Sequence, residues 1–202
     1  MLRNALLLAG AALAGAVPAC QAQETGSPVY QAPYRAFARS EFGLSISEPD
    51  AGFDLEGSYR AGFTRKVDGG LRAGIHSGPG PNSDTDALLG GDLRARLVTH
   101  TESFPLDASI TAGLGFESGH GFTVGRLPIG LSMGRRVLIE GSAISLVPYA
   151  EPVLTFLFGD ESGTDLSLGF GVDARVTPRL DLRFSAAIGN TSGIGFTAAF
   201  LH

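Results

Sequence analysis

Apolar and polar residues alternate along most of this chain, from residue 34 to the C-terminus. The clearest example is residues 52–64, GFDLEGSYRAGFT, in which Phe53 and Tyr59 share one face and Asp54 and Arg60 share the other. Successive side chains of a β-strand point to opposite faces, so this pattern predicts a strand with one apolar and one polar face. The pattern recurs up to residue 200, and it predicts an all-β domain.

Turn-forming residues separate the alternating segments. Clusters of Gly, Pro, Asn, Asp and Ser occur at residues 49–52, 68–70, 77–86, 103–105, 118–121, 159–163, 177–179 and 190–193. Such clusters are typical of hairpin turns. Counting the segments between them gives about ten strands, with eight also possible. We therefore predict a closed up-and-down antiparallel β-barrel, an arrangement that leaves no unpaired edge.

Two segments contain proline within an otherwise apolar pattern. Residues 127–133 include Pro128, and residues 146–158 include Pro148 and Pro152. Proline removes a ladder hydrogen bond, so we expect bulges or a position at the barrel rim in these segments. The alternative is that residues 146–158 begin a periplasmic turn.

The composition of the polar face indicates which solvent meets the apolar face. In a soluble barrel the apolar face would point inward and the polar face would carry many lysines, but this chain has one lysine, Lys66, and only 17% charged residues. About 25% is typical of soluble domains. The polar face combines Gly and Ser with Asp, Glu and Arg, which suits a narrow lumen in which opposite charges pair. We predict a transmembrane barrel with a polar lumen and an apolar, lipid-facing exterior.

The N-terminus is typical of an exported protein. Arg3 precedes an apolar run at residues 5–17, followed by small residues around Ala19 and Ala22. This is the layout of a secretory signal peptide. We predict a signal peptide at residues 1–22, a flexible polar leader at 23–33 and the barrel domain at 34–202. Cys20 is the lipidated residue of a lipobox in one interpretation, and ordinary cleavage after Ala19 or Ala22 is the alternative. As the chain's one cysteine, it leaves no internal disulfide.

The alternating strands, together with the segments LPIGLSMG, LVPYAEPVL and the closing GIGFTAAFLH, resemble the small outer-membrane β-barrel proteins of Gram-negative bacteria, the group that includes the OmpA-type barrels. The resemblance implies a place in the cell outer membrane, the lipid bilayer as partner, and insertion by the barrel-assembly machinery. Members typically end in an aromatic residue, whereas here Phe200 precedes Leu201 and His202. Because Trp is absent, an interfacial girdle would use residues such as Tyr59, Phe63, Phe116 and Phe122.

The candidate chemical groups do not form a recognisable site. His76 falls on the predicted lumen face, and His100 to Ser103 contains His, Glu and Ser, but consecutive strand residues cannot converge on one substrate atom. His120 and His202 lack metal-ligand spacing, and Asp160 with Glu161 indicates a solvated turn. We therefore predict no catalytic, metal or cofactor residue.

The predicted function is that of a non-enzymatic outer-membrane barrel, with a structural role in the envelope or as a narrow passive pore. With the N-terminus in the periplasm, the outward loops would be short except for residues 77–86. The net charge of −5 argues against a nucleic-acid partner. Two alternatives remain: a membrane-embedded lipid-modifying hydrolase using His76 or His100, and a soluble lipocalin-like barrel that binds an apolar ligand inside.

Overall fold

The alternating segments all form strands in the computed structural model, which describes residues 24–33, 39–49, 52–80, 83–190 and 192–202. The predicted signal peptide, Cys20 and residues 34–38 lie outside the described residues. The strands are β1 (Glu41–Pro49), β2 (Phe53–Gly62), β3 (Val67–Ser77), β4 (Thr85–Val98), β5 (Asp107–Gly119), β6 (Phe122–Gly134), β7 (Val137–Leu138), β8 (Ser145–Gly159), β9 (Gly163–Thr177), β10 (Leu180–Gly189) and β11 (Gly193–Leu201).

The strands form a closed ring. Each long strand pairs antiparallel with the next along the chain, β6 pairs with β8, and the ring closes where β1 pairs with β11. The two-residue β7 pairs only with the start of β8, so ten strands close the barrel. This confirms the predicted up-and-down antiparallel barrel and decides for ten strands over eight.

Pro128 and Pro152 interrupt pairing without producing bulges, so the expectation of bulges was wrong at these two positions. Pairing of β5 with β6 stops at Ala112 opposite Ile129 and resumes in the same register at Gly115 opposite Arg126, which leaves a gap at Pro128. The pairing of β6 with β8 has a similar gap at Pro152. Neither proline of β8 starts a turn, because β8 pairs with β9 without interruption. A strand bonded on both sides tolerates a local loss of ladder bonds without shifting register.

The apolar face points outward. Leu71, Phe63 and Leu166 are 69%, 64% and 63% exposed, whereas Asp54 and Asp68 are 1% and 0% exposed. The outward orientation of Phe53, Tyr59 and Phe63 confirms the predicted inside-out barrel and contradicts the soluble barrel with an apolar interior. No helix within the described residues is long and apolar enough to cross a membrane.

Exposed aromatic side chains lie near both ends of the barrel. At the end that carries His202, the rings of Phe42 and Tyr59 are 4.8 Å apart, and the His202 ring stacks on Phe42 at 5.5 Å. At the opposite end Phe116 packs edge-on against Phe158 at 6.0 Å. The longest connections, residues 99–106 and 135–144, lie at the His202 end, and the longest at the other end is residues 78–84.

Candidate functional site

The lumen is occupied by the chain's own N-terminal region. Residues 24–33, here called the lumenal segment, are almost entirely buried: Glu24 is 2% exposed, Thr25 and Ser27 are 0% and Tyr30 is 1%. The sequence predicts a flexible leader here because the residues are small and polar, but the structure places them inside the barrel. Small, polar side chains match a polar lumen as well as they match water, and composition alone does not distinguish the two.

Wall residues from several strands hold the lumenal segment through hydrogen bonds. Ser27 Oγ donates to Asp54 Oδ2 at 2.7 Å. The backbone carbonyls of the segment accept bonds from wall side chains: Pro28 from Ser185 Oγ at 2.7 Å, Gln31 from Ser132 Oγ at 2.6 Å and Ala32 from Arg94 Nη1 at 2.5 Å. Strands β2, β4, β6 and β10 therefore all contact the segment, which crosses the lumen from wall to wall.

Glycines of the wall leave the space that the segment fills. A Cβ on Gly169 would lie 2.2 Å from the ring of Tyr30, and a Cβ on Gly115 would lie 1.9 Å from the backbone oxygen of Glu24. Cβ atoms on Gly90, Gly113 and Gly195 would also meet the segment within 3.2 Å. The bare backbone at Gly169 and Gly115 is therefore needed for the segment to fit, whereas a Cβ on Gly113 would require a shift of only a few tenths of an ångström.

Burial alters the two ionisable groups of the segment. Burial raises the pKa of the Tyr30 phenol, so that the hydroxyl stays protonated beside Ser167 Oγ at 3.4 Å. Burial also raises the pKa of the Glu24 carboxyl, while the nearby Arg72 guanidinium, 3.4 Å away, acts in the opposite direction. The lumen thus disfavours the charged form of both groups.

Charged side chains of the wall form ion pairs that cross several strands. Arg60 of β2 bonds Asp68 of β3 and Asp92 of β4, and Asp68 also pairs with Arg94 at 2.9 Å. This confirms the charge-paired lumen that the alternation predicts. Buried charges need such partners because an isolated charge out of water is costly.

A second group of ion pairs spans the seam of the ring. Arg183 of β10 binds Glu41 of β1 with two bonds, at 2.9 and 2.8 Å, across the intervening β11. The same guanidinium lies 3.5 Å from Asp173, and Arg175 binds Asp181 at 2.7 and 2.8 Å. Bidentate Arg–carboxylate pairs are directional, so this one helps to fix the register of β1 relative to β10, the two strands that flank β11.

Little free space remains beside the lumenal segment. One cavity lined by Glu24, Gln31 and Glu151 has a volume of about 10 Å³, and another lined by Val29, Tyr30 and Arg72 has a volume of about 20 Å³. A cavity of this size holds about one water molecule. These spaces are too small for a solute.

Neither histidine proposed for a hydrolase is hydrogen-bonded to a serine or threonine hydroxyl within the described part of the chain. His76 Nδ1 lies 2.6 Å from Asp54 Oδ1, but the hydroxyls of Ser27 and Ser47 bond the same carboxylate rather than the imidazole. A nucleophilic serine would have to hydrogen-bond the ring itself. His76 is therefore held as a hydrogen-bonded lumen histidine.

The second proposed cluster is likewise spread apart. His100 Nδ1 lies 3.1 Å from Asp107 Oδ2, whereas Ser103 Oγ bonds the hydroxyl of Thr101 and the Glu102 side chain is exposed. The residues at 100–103 lie in the loop between β4 and β5 and do not converge.

The remaining candidates lie in turns or at the chain end. His120 has a φ of 52° in the β5–β6 turn and lies 3.3 Å from Asp84, and Asp160 accepts a bond from the Thr123 backbone at 2.7 Å. Within the described part of the chain no three His, Cys, Asp or Glu side chains are grouped to hold a metal ion.

Comparisons with known proteins give no match to a family model and none to a curated protein. Among solved structures, the β domain of the Bordetella autotransporter Brka is 15% identical, covers 81% of this chain and 97% of its own, and has a TM-score of 0.46. The N-terminal β-barrel domain of Pseudomonas aeruginosa OprF is 14% identical over 82% and 98%, with a TM-score of 0.40. A de novo designed transmembrane β-barrel is 12% identical over 82% and 96%, with a TM-score of 0.43. This chain is thus similar to outer-membrane β-barrels in general architecture, and the similarity gives no information on its role.

Proposed function

We propose that this protein is a non-enzymatic β-barrel of the bacterial outer membrane, with a structural role in the envelope and a lumen closed by its own lumenal segment. The observation that carries the proposal is the inside-out distribution of residues. Among the described residues, 36 large hydrophobic side chains are exposed and 13 hydrophobic residues are buried.

Such an exterior is unfavourable in water. Burying apolar surface stabilises by roughly 25 cal/mol per Å², and soluble monomers rarely expose continuous apolar patches above a few hundred Å². Here the exposed apolar residues continue around the ring. They also line two grooves on the outer surface of the barrel, with volumes of about 510 and 680 Å³. Lipid acyl chains are the solvent that suits this surface.

The filled lumen argues against a permanently open pore and is compatible with a structural role. The spaces beside the lumenal segment are about 10 and 20 Å³, so solutes do not pass the described conformation at these points. We further expect the barrel-assembly machinery to insert the chain, which the outward Ile194 and Phe200 of β11 support; they are 61% and 58% exposed.

Membrane fractionation with heat-modifiable gel mobility tests the proposal. We expect the protein in the outer-membrane fraction, with a folded band that shifts only on boiling, as the closed barrel resists detergent. Recovery entirely in the soluble periplasmic fraction would contradict the proposal.

The hydrolase alternative has a separate test. The His76→Ala and His100→Ala double variant should behave as the wild-type protein in lipid-modification assays, because neither histidine bonds a nucleophile among the described residues. Lipid-modifying activity that the wild type shows and this variant lacks would favour the enzyme.

A further inference from the structure

The wall of the lumen carries an excess of acidic side chains. Eight buried wall residues are acidic and four are basic among those that the structure describes: Glu41, Asp54, Glu56, Asp68, Asp107, Glu151, Asp165 and Asp181 against Arg60, Arg72, Arg94 and Arg126. Rings of carboxylates attract cations and repel anions. The wall therefore has the electrostatic character of a cation pathway.

The lumenal segment is docked on this wall without joining the sheet. Residues 24–33 form no β-bridge with any strand, and the bonds that hold them come largely from wall side chains such as Ser132, Ser185 and Arg94. The Thr25 hydroxyl is buried and has no hydrogen-bond partner among the residues that the structure describes. An unsatisfied buried hydroxyl weakens docking, because the group is solvated when the segment leaves.

The wall does not depend on the segment for charge compensation. Asp68 pairs with Arg60 and Arg94, and Arg183 pairs with Glu41, all within the wall. Arg72 meets Glu24 at 3.4 Å, but it also meets Glu56 of the neighbouring strand at 3.4 Å. The segment can therefore leave without stranding a buried guanidinium.

From these contacts we propose that the barrel is a cation-selective pore that the lumenal segment closes, and that it conducts when the segment leaves the lumen. The proposal rests on the proposed membrane-spanning barrel and goes beyond it. A ten-strand barrel is somewhat wider than the eight-strand barrels that side chains alone fill. The wall at Gly90, Gly113 and Gly115 contributes only backbone where the segment now lies, so departure of the segment leaves open space there.

A reversible tether in the full-length chain tests the proposal. A Cβ on Gly113 lies 3.2 Å from the Cβ of Glu24, near the roughly 3.5–4.5 Å of a disulfide. The variant carries Glu24→Cys and Gly113→Cys, with Cys20→Ser to remove the native thiol, and each single-cysteine variant serves as a control. Currents are recorded in planar bilayers under a KCl gradient, before and after reduction.

We expect discrete openings in the wild-type protein and the reduced variant, their loss in the oxidised variant, and a reversal potential that shows K⁺ permeation. The single-cysteine controls should respond to the reductant no more than the wild type does. Gly169→Ala, whose new Cβ would clash with the Tyr30 ring, should raise the open fraction roughly tenfold or more.

Three results would overturn the proposal: equal openings in the oxidised and reduced forms, a reversal potential that shows Cl⁻ permeation, or no openings in any variant. Heat-modifiable mobility of each inserted sample is measured in parallel. A heat-modifiable, membrane-inserted barrel that never conducts would end the pore proposal while leaving the proposed membrane barrel intact. Failure of every sample, wild type included, to enter the membrane would contradict the proposed function itself.

Discussion

The Arg60 guanidinium of β2 reaches Asp92 of β4 across Gly70 of the intervening strand. A Cβ on Gly70 would lie 2.9 Å from Arg60 Nη2 and 3.2 Å from Asp92 Oδ1. The bare backbone of Gly70 therefore makes room for an ion pair that links two strands not bonded to each other.

Replacing Gly70 with alanine should disturb this ion pair. We expect Gly70→Ala to lower the free energy of unfolding by about 1–3 kcal/mol, because the methyl group displaces the guanidinium. Urea unfolding in detergent micelles, followed by the heat-modifiable band, measures the effect. Gly57→Ala is the matched control, since its Cβ would meet only the Ala73 carbonyl oxygen at 4.0 Å. Equal destabilisation by both variants would contradict the role of Gly70 in making room for the pair between Arg60 and Asp92.

The pair between Glu41 and Arg183 should stabilise the seam between the first and last strands. Glu41→Gln removes the carboxylate charge from a bidentate pair, so we expect a loss of about 1–3 kcal/mol. The temperature at which the folded band disappears on gels reports this change. Glu48→Gln, an exposed position in the same strand, should leave that temperature nearly unchanged. If Glu41→Gln behaves as Glu48→Gln does, the pair does not hold the seam.

Two leucines of equal exposure should respond differently to charge. Leu71, near the middle of β3, and Leu138, in the short β7, are each 69% exposed. Arginine facing lipid near the bilayer midplane costs roughly 2–4 kcal/mol, and near the interface much less. Leu71→Arg should therefore reduce insertion into lipid vesicles much more than Leu138→Arg does. A soluble barrel would show no such difference.

Gly169 should be required for docking of the lumenal segment but not for the barrel itself. Gly169→Ala places a methyl group against the Tyr30 ring, and we expect it to make residues 24–33 sensitive to limited proteolysis while the heat-modifiable band persists. Gly163→Ala in the same strand meets only Leu157 at 4.0 Å and should leave the segment protected. Adding Tyr30→Ala to Gly169→Ala removes the clash. If Gly169 acts by making room for the Tyr30 ring, the double variant should protect residues 24–33 from proteolysis at least as well as Tyr30→Ala alone does.

The strands and their orientation could be predicted because each follows from local alternation. Phe53 and Asp54 point apart whatever the rest of the chain does, and short turns force neighbouring strands to pair. The ion pair between Arg60 and Asp92 could not be predicted to the same degree, since it depends on the register of three strands and on the absence of a side chain at Gly70.

The position of the lumenal segment was not predictable from its composition. Ser27 meets Asp54, and Pro28 meets Ser185, far along the chain. The available signal was indirect: Val29 and Tyr30 form an apolar pair within a polar stretch, and the glycines on the polar face of several strands leave room inside the barrel. At the prolines, the expectation of lost ladder hydrogen bonds was correct. The strands nevertheless kept their register, because each is also paired on both sides in the closed ring.

The absence of tryptophan from the chain allows the central claim, an apolar exterior in contact with lipid, to be measured directly. Single tryptophans are introduced as Leu71→Trp and Leu138→Trp, and the protein is reconstituted in vesicles whose acyl chains carry bromine. We predict strong quenching of Leu71→Trp by the brominated chains and little by aqueous iodide, with the reverse for Leu138→Trp. Quenching of Leu71→Trp by iodide but not by the brominated chains would show that the exterior faces water, and would contradict the account.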